Sequence, residues 1–103
     1  MSIDIPEEIV AAFKDSAEEH ILKMENSCLE LEANNFDEYH YNALVHSTHS
    51  LKGMAGSFGF GNITKICHSI EEKIKELTIE DRTKIITEIL SFIDKTKEIL
   101  DLR

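Results

Sequence analysis

Apolar residues recur along nearly the whole chain at steps of three and four, and nowhere at steps of two. Val10, Phe13, Ala17, Ile21 (or His20), Met24, Cys28 and Leu31 form the first such stripe. It predicts a helix from about Pro6 to Ala33 with one face buried. Asp4 or Ile5 precedes it, Pro6 suits its first turn, and Glu7 and Glu8 favour the positive end of its dipole. Asn34-Asn35 reads as the break. A second helix starts near Asp37 as N-cap and carries Tyr41, Leu44, Thr48, Leu51 and Ala55, with Phe58 one step on. The glycine-rich piece Gly56 to Gly61 ends it in a turn. A third helix carries Ile63, Ile66, Cys67, Ile70, Ile74 and Leu77. Thr78-Ile79-Glu80-Asp81 then reads as an N-cap with acids in the first turn of a fourth helix. That helix carries Ile85, Ile86, Ile89, Ile93, Thr96 and Leu100, a narrow seam. Most of its apolar residues are β-branched, but period and length predict helix over strand. Four helices of roughly 18 to 28 residues with short connections predict an all-α, antiparallel up-down four-helix bundle.

At 103 residues, 1–103 is a single domain by length. A chain with 42% hydrophobic and 30% charged residues buries a core rather than remaining disordered. Eleven basic against 20 acidic residues leave a net charge of −9. Such a surface repels nucleic acid and anionic membranes, which excludes both as expected partners. No apolar run reaches membrane-spanning length, and the acidic N-terminus is unlike a secretory signal, so the expected location is the cytoplasm. Cys28 and Cys67 fall on apolar stripes, so they are expected to be buried free thiols in a reducing compartment.

One stretch departs from a purely structural helix. Thr48-His49-Ser50-Leu51-Lys52-Gly53-Met54-Ala55-Gly56 places a histidine, a lysine and two glycines on an otherwise ordinary amphipathic pattern. All four glycines of the chain, Gly53, Gly56, Gly59 and Gly61, lie within nine residues. At 100° per residue, His49 points roughly 130° from the centre of its stripe, toward solvent. His46 and Gly53 share its face and Gly56 lies beside it; these three are the expected partner-facing residues. Glycine inside a helix costs about 1 kcal/mol relative to alanine. A bare strip there would let another protein approach the imidazole closely. Gly59 and Gly61 are expected to make the turn, and Gly56 suits either purpose. On the third helix, Thr64, His68, Glu71 and Lys75 form a polar stripe. Counted from the turn, His68 and Glu71 stand at a height similar to His49. A carboxylate accepting from Nδ1–H fixes the ring's tautomer and leaves Nε2 nucleophilic, and a lysine steadies phosphoryl oxygens. Glu71 fits the first role and Lys52 the second. His68 is either a further member of the network or simply exposed.

The run His49-Ser50-Leu51-Lys52-Gly53-x-Ala55-Gly56 resembles the His-x-x-Lys-Gly signature of histidine phosphotransfer (HPt) domains. Extended through Ser57-Phe58-Gly59-Phe60, and joined by His68-x-x-Glu71 downstream, it looks like the CheA-type chemotaxis-kinase subgroup. The likeness covers essentially the whole chain. It implies that His49 accepts a phosphoryl group from a histidine kinase ATP-binding domain and passes it to an aspartate of a response-regulator receiver domain. It further implies that Glu71 orients the ring, while Lys52 and His68 support reactivity. Met54 stands where that subgroup usually has a second small residue. The subgroup commonly adds a fifth helix, for which no room follows Arg103, so the sequence is either a piece of a larger kinase or a free-standing phosphotransfer protein. No nucleotide-binding glycine motif is present, so the chain alone is expected not to consume ATP. It binds no cofactor of its own on this reading; Mg and ATP come with the partner domains, and the isolated domain is monomeric. Two other readings compete: a receiver-binding module that transfers nothing, and a bundle in which His46 and His49 chelate a metal with His68 or Glu71. His20 and His40 read as incidental. Phe58 and Phe60 read as core plugs at the turn, with Phe60 alternatively at the partner surface.

Overall fold

The computed structural model describes residues 6–33 and 36–101. It contains α1 (Glu7–Ala33), α2 (Glu38–Ser57), α3 (Gly61–Glu76) and α4 (Arg82–Leu100). Among the described residues there is no strand. The helices pack in a ring, α1 on α2, α2 on α3, α3 on α4 and α4 back on α1, while the diagonal pairs do not meet. The body measures 46 × 21 × 21 Å, the long axis fitting a 27-residue helix at about 1.5 Å per residue. This is the expected four-helix bundle. No helix among the described residues is long and apolar enough to cross a membrane.

The predicted stripes form the core, except that Val10, Tyr41, Phe58 and Ile66 are only partly buried. In α1 Phe13, Ala17, Ile21, Met24, Cys28 and Leu31 are buried, so Ile21 rather than His20 holds that step. In α4 the buried residues are Ile85, Ile86, Ile89, Ile93, Thr96 and Leu100, the full predicted seam. Buried hydroxyls turn back on their own helices: Thr48 Oγ1 donates to the Leu44 carbonyl at 2.8 Å and Thr96 Oγ1 to Phe92 at 3.1 Å. Such bonds satisfy polar atoms that would otherwise be costly in a core. Cys28 and Cys67 are buried free thiols, each pushed up to about 12, first by burial and then by Glu25 and Glu32 at Cys28 and by Glu71 at Cys67, where Lys52 opposes.

The helix ends carry the corrections. The amides of Ile9 and Val10 donate to the Pro6 carbonyl, which puts Pro6 just ahead of the first turn. The expected cap at Asp4 or Ile5 and the break at Asn34-Asn35 lie outside the described residues. Asp37 caps α2 as read, its carboxylate accepting from the Tyr39 amide at 2.9 Å. Phe36, one residue earlier, packs on Tyr41, ring centroids 5.2 Å apart. This pair staples the helix start and holds Phe36 at φ 59, a conformation rare for an aromatic residue.

At the other end of α2 the glycines divide differently from the expectation. Gly59 alone has positive φ, 80°. Its amide donates to Gly56 at 3.4 Å, and the Phe60 amide reaches back to Ala55 at 2.8 Å. That pair of bonds is the Schellman arrangement, which needs a left-handed residue where Gly59 stands. Gly61 takes no part in the turn: it is the first residue of α3. Gly56 lies within α2. Phe58 and Phe60 both stack on Phe13, at 5.1 and 4.7 Å, so Phe60 plugs the core end. The start of α4 also departs from the reading. Asp81 is the N-cap residue but its side chain caps nothing, and no acid lies in the first turn. Thr78 Oγ1 instead accepts from the Asp81 amide at 3.2 Å, shaping the turn ahead of the helix. Ion pairs then tie the helices together: Lys52 with Glu71, Lys73 with Glu88 at 2.6 Å, and Lys97 with Glu25.

Candidate functional site

His49 stands on the outer face of α2, eight residues before the helix ends at Ser57, with 73% of its side chain exposed. The Schellman turn brings α3 back antiparallel beside it. Glu71, on the flank of α3 that faces α2, reaches it: Glu71 Oε2 lies 3.4 Å from His49 Nδ1. With its proton on Nδ1 the ring donates to that carboxylate, which leaves Nε2 unprotonated on a largely exposed ring. The other oxygen, Oε1, accepts from Lys52 Nζ at 2.6 Å. One carboxylate thus serves two donors from consecutive turns of α2.

The balance of charge at Glu71 follows from this geometry. Partial burial pushes the carboxyl up, but the hydrogen bonds from Lys52 and His49 and their charges outweigh it, so it sits below its ordinary value. Glu71 is therefore an anion across the neutral range. Lys52 and Glu71 are 29% and 23% exposed, against 73% for the ring. The pair is sheltered in the groove between the helices while the imidazole projects from it.

The remaining predicted residues fall around this centre. A Cβ added at Gly53 would meet nothing within 4 Å; the surface one turn beyond His49 is bare backbone, apart from Ser57 Oγ donating to the Gly53 carbonyl at 3.1 Å. A Cβ at Gly56 would touch Thr64 Oγ1 at 3.7 Å, so Gly56 faces α3. His46 is exposed on α2 and close enough to His20 of α1 to act on its charge. His20 is held below its ordinary range by burial first, then by Lys23 and His46, with Glu19 opposing. His68 does not reach Glu71: its Nε2 lies 3.8 Å from Glu72 Oε1, one helical turn on. Lys75 also turns to Glu72, at 3.5 Å, rather than to Glu71. Among the described residues no group of three or more His, Cys, Asp or Glu is arranged to hold a metal; His46, His49 and His68 do not converge as a chelate.

One feature beside the centre was missed in the sequence. On the side of His49 away from the turn, α2 and α3 enclose a groove of about 360 Å³, with Tyr41, Val45 and Ile74 as its apolar lining. Lys52 and Glu71 form one wall, and His68, Glu72 and Lys75 border it. The only sequence signal was Val45, an apolar residue off the core stripe of α2 and 40% exposed.

Comparison with known proteins bears on this arrangement. A family model described as "Hpt domain" matches residues 8–99. The chain belongs to the Hpt domain family. This Hpt domain is 32% identical over 100 residues to "Chemotaxis protein CheA" of Salmonella typhimurium, covering 97% of this chain and 15% of that one. It is 33% identical over 100 residues to the protein of that name from Klebsiella aerogenes, with the same coverage. It is 28% identical over 98 residues to that of Halobacterium salinarum, 92% of this chain and 15% of the relative. The chain therefore spans about 15% of the length of the curated relatives it matches. No solved structure matches it.

Proposed function

We propose that this Hpt domain is a phosphoryl carrier in two-component signalling, with His49 as its acceptor. The observation that carries this reading is the open imidazole held at Nδ1 by the Glu71 carboxylate, 3.4 Å away. The lone pair of Nε2 attacks the γ-phosphorus of ATP held by a separate kinase domain. The N–P bond forms as the P–O bond to the leaving ADP breaks. The ring becomes cationic as its lone pair is used, and Glu71 stabilises that charge through Nδ1–H, as an orienting carboxylate does for other nucleophilic pairs. In the second step a carboxylate oxygen of a receiver aspartate attacks phosphorus. The N–P bond breaks and its electron pair returns to Nε2, so the domain is regenerated unchanged. Lys52, one turn from the ring, is the cation available to phosphoryl oxygens. Gly53, Gly56 and His46 are the residues this reading assigns to contact with the incoming domain.

Mg and ATP belong to the kinase partner and Mg to the receiver; this domain supplies the acceptor and no ATP site. The relatives named for chemotaxis favour a place as the phosphotransfer domain of a CheA-type kinase in the cytoplasm over a free-standing carrier. Two partners met in turn call for small, transient contacts, and a monomer with a net charge of −9 suits them better than nucleic acid or an anionic membrane. Incubation with a CheA-type kinase core and labelled ATP tests the assignment. The label is expected on the wild-type chain, lost in acid, retained in alkali and absent from His49→Gln. Alkali-stable labelling of that variant would overturn it.

A further inference from the structure

Lys52 does not stand free beside the acceptor ring. It is committed to Glu71 Oε1 at 2.6 Å, while the same carboxylate's other oxygen faces His49 Nδ1. Both partners also form the wall of the groove lined by Tyr41, Val45 and Ile74. The ammonium, the carboxylate and the ring are thus adjacent, and two of the three are part of the groove.

We propose that Lys52 is a repartnering switch that couples the charge state of His49 to the charge on the wall of this groove. While His49 is bare, Lys52 holds Glu71 and neutralises it. Once a phosphoryl group sits on Nε2, Lys52 leaves Oε1 for the phosphoryl oxygens, and Glu71 keeps the ring's Nδ1–H. The direction follows from charge. A phosphoryl group brings up to about two negative charges and three acceptor oxygens at neutral pH, against one charge on the carboxylate. Lys52 lies three residues beyond His49, and residues three apart on a helix are neighbours, so its flexible stem turns between the two acceptors without backbone movement. The exchange costs Glu71 one hydrogen bond but leaves it the now cationic ring. No covalent bond changes in this step; the only covalent event is the N–P bond formed during loading.

The consequence is a surface that differs between the two states. In the bare form the groove beside Tyr41 and Val45 is walled by a neutralised Lys52–Glu71 pair. In the loaded form the ammonium has moved out toward the ring, and Glu71 Oε1 faces the groove uncovered.

This inference rests on His49 being the acceptor, and the experiment separates the two. The full chain, with valine methyls and tyrosine rings labelled, is loaded with phosphoramidate, and the phosphohistidine absent from His49→Gln is followed by its phosphorus resonance. Wild type is expected to show shifts at Val45 methyls and the Tyr41 ring that grow with the loaded fraction. In Lys52→Met, compared at the same loaded fraction whatever its rate, those shifts are expected to fall to less than half. If no phosphohistidine forms, the carrier reading fails. If it forms while Val45 and Tyr41 stay unmoved, or shift equally in Lys52→Met, the switch is refuted and the carrier reading stands.

Discussion

Replacing Glu71 with alanine isolates what the carboxylate does for the ring. Alanine keeps α3 helical, being the best helix former, and removes the acceptor for both His49 and Lys52. Hydrogen bonds to charged groups contribute about 1.5–3 kcal/mol. The 3.4 Å separation from His49 Nδ1 lies beyond the usual range of up to about 3.2 Å, so the lower end, about 1.5 kcal/mol, applies to ring orientation. At about 1.4 kcal/mol per factor of ten, Glu71→Ala is expected to slow loading of His49 about tenfold. The lost pair with Lys52 is partly exposed, 29% and 23%, and such pairs contribute at most about 1 kcal/mol, so the variant remains folded. The assay is single-turnover labelling by a kinase core, with helicity and melting followed alongside. Nitrogen shifts of the His49 ring should show the Nδ1–H tautomer losing population as it loses its acceptor. A loading rate within twofold of wild type, with unchanged tautomer shifts, would refute the orienting role; a loss of a thousandfold would mean that Glu71 does more than orient.

Gly53→Gln should slow transfer from a kinase and to a receiver while stabilising the isolated domain by up to about 1 kcal/mol, since its side chain meets no neighbour; unchanged transfer rates would show that the bare strip plays no part. Gly59→Ala should destabilise the domain by roughly 1–2 kcal/mol, because its φ of 80° is forced by the turn; a denaturant titration with an unshifted midpoint would contradict this. Asp37 is held below its ordinary 3.8 chiefly by the hydrogen bond from His40, and Glu88 below 4.5 chiefly by Lys73. Glu71 is also below 4.5, where the bonds from Lys52 and His49 overcome the opposing effect of burial. Each carboxyl is more acidic folded than unfolded, so its contribution is full above those ordinary values and is lost as pH falls through the lower folded ones. Urea midpoints should therefore decline as pH is taken below about 4, and Glu71→Ala should lessen the decline; a flat acid limb would refute the pairing.

The bundle was legible because its signal is repetitive. Each helix declares its buried face several times over, and in α4 all six seam residues from Ile85 to Leu100 proved to be the buried ones. The height of His49 against Glu71 could be read as well, because one short turn joins their helices and residue counts convert directly to distance. The helix ends were less legible. Gly56, Gly59 and Gly61 share one chemistry, and only backbone hydrogen bonds across Ala55–Phe60 separate the left-handed Gly59 from its two helical neighbours. At the start of α4, Thr78 and Asp81 were both able to cap, and which side chain met which amide depended on the path of the turn.

The sequence by itself thus determined the fold class, the core faces and the outward aim of His49, since each depends on periodicity along one helix. Only the tertiary structure decided the partners. Lys52 could serve the acceptor ring, solvent or a carboxylate, and it lies 2.6 Å from Glu71. Lys75 and His68 could have shared Glu71, and both turn to Glu72 instead. The groove beside Tyr41 and Val45 exists only because α2 and α3 pack side by side. The physical reason is one of range. Burial of a helix face is set by a pattern that every register of packing preserves, whereas an ion pair forms with whichever of several equivalent groups comes within about 4 Å, and that is settled when two helices lock together.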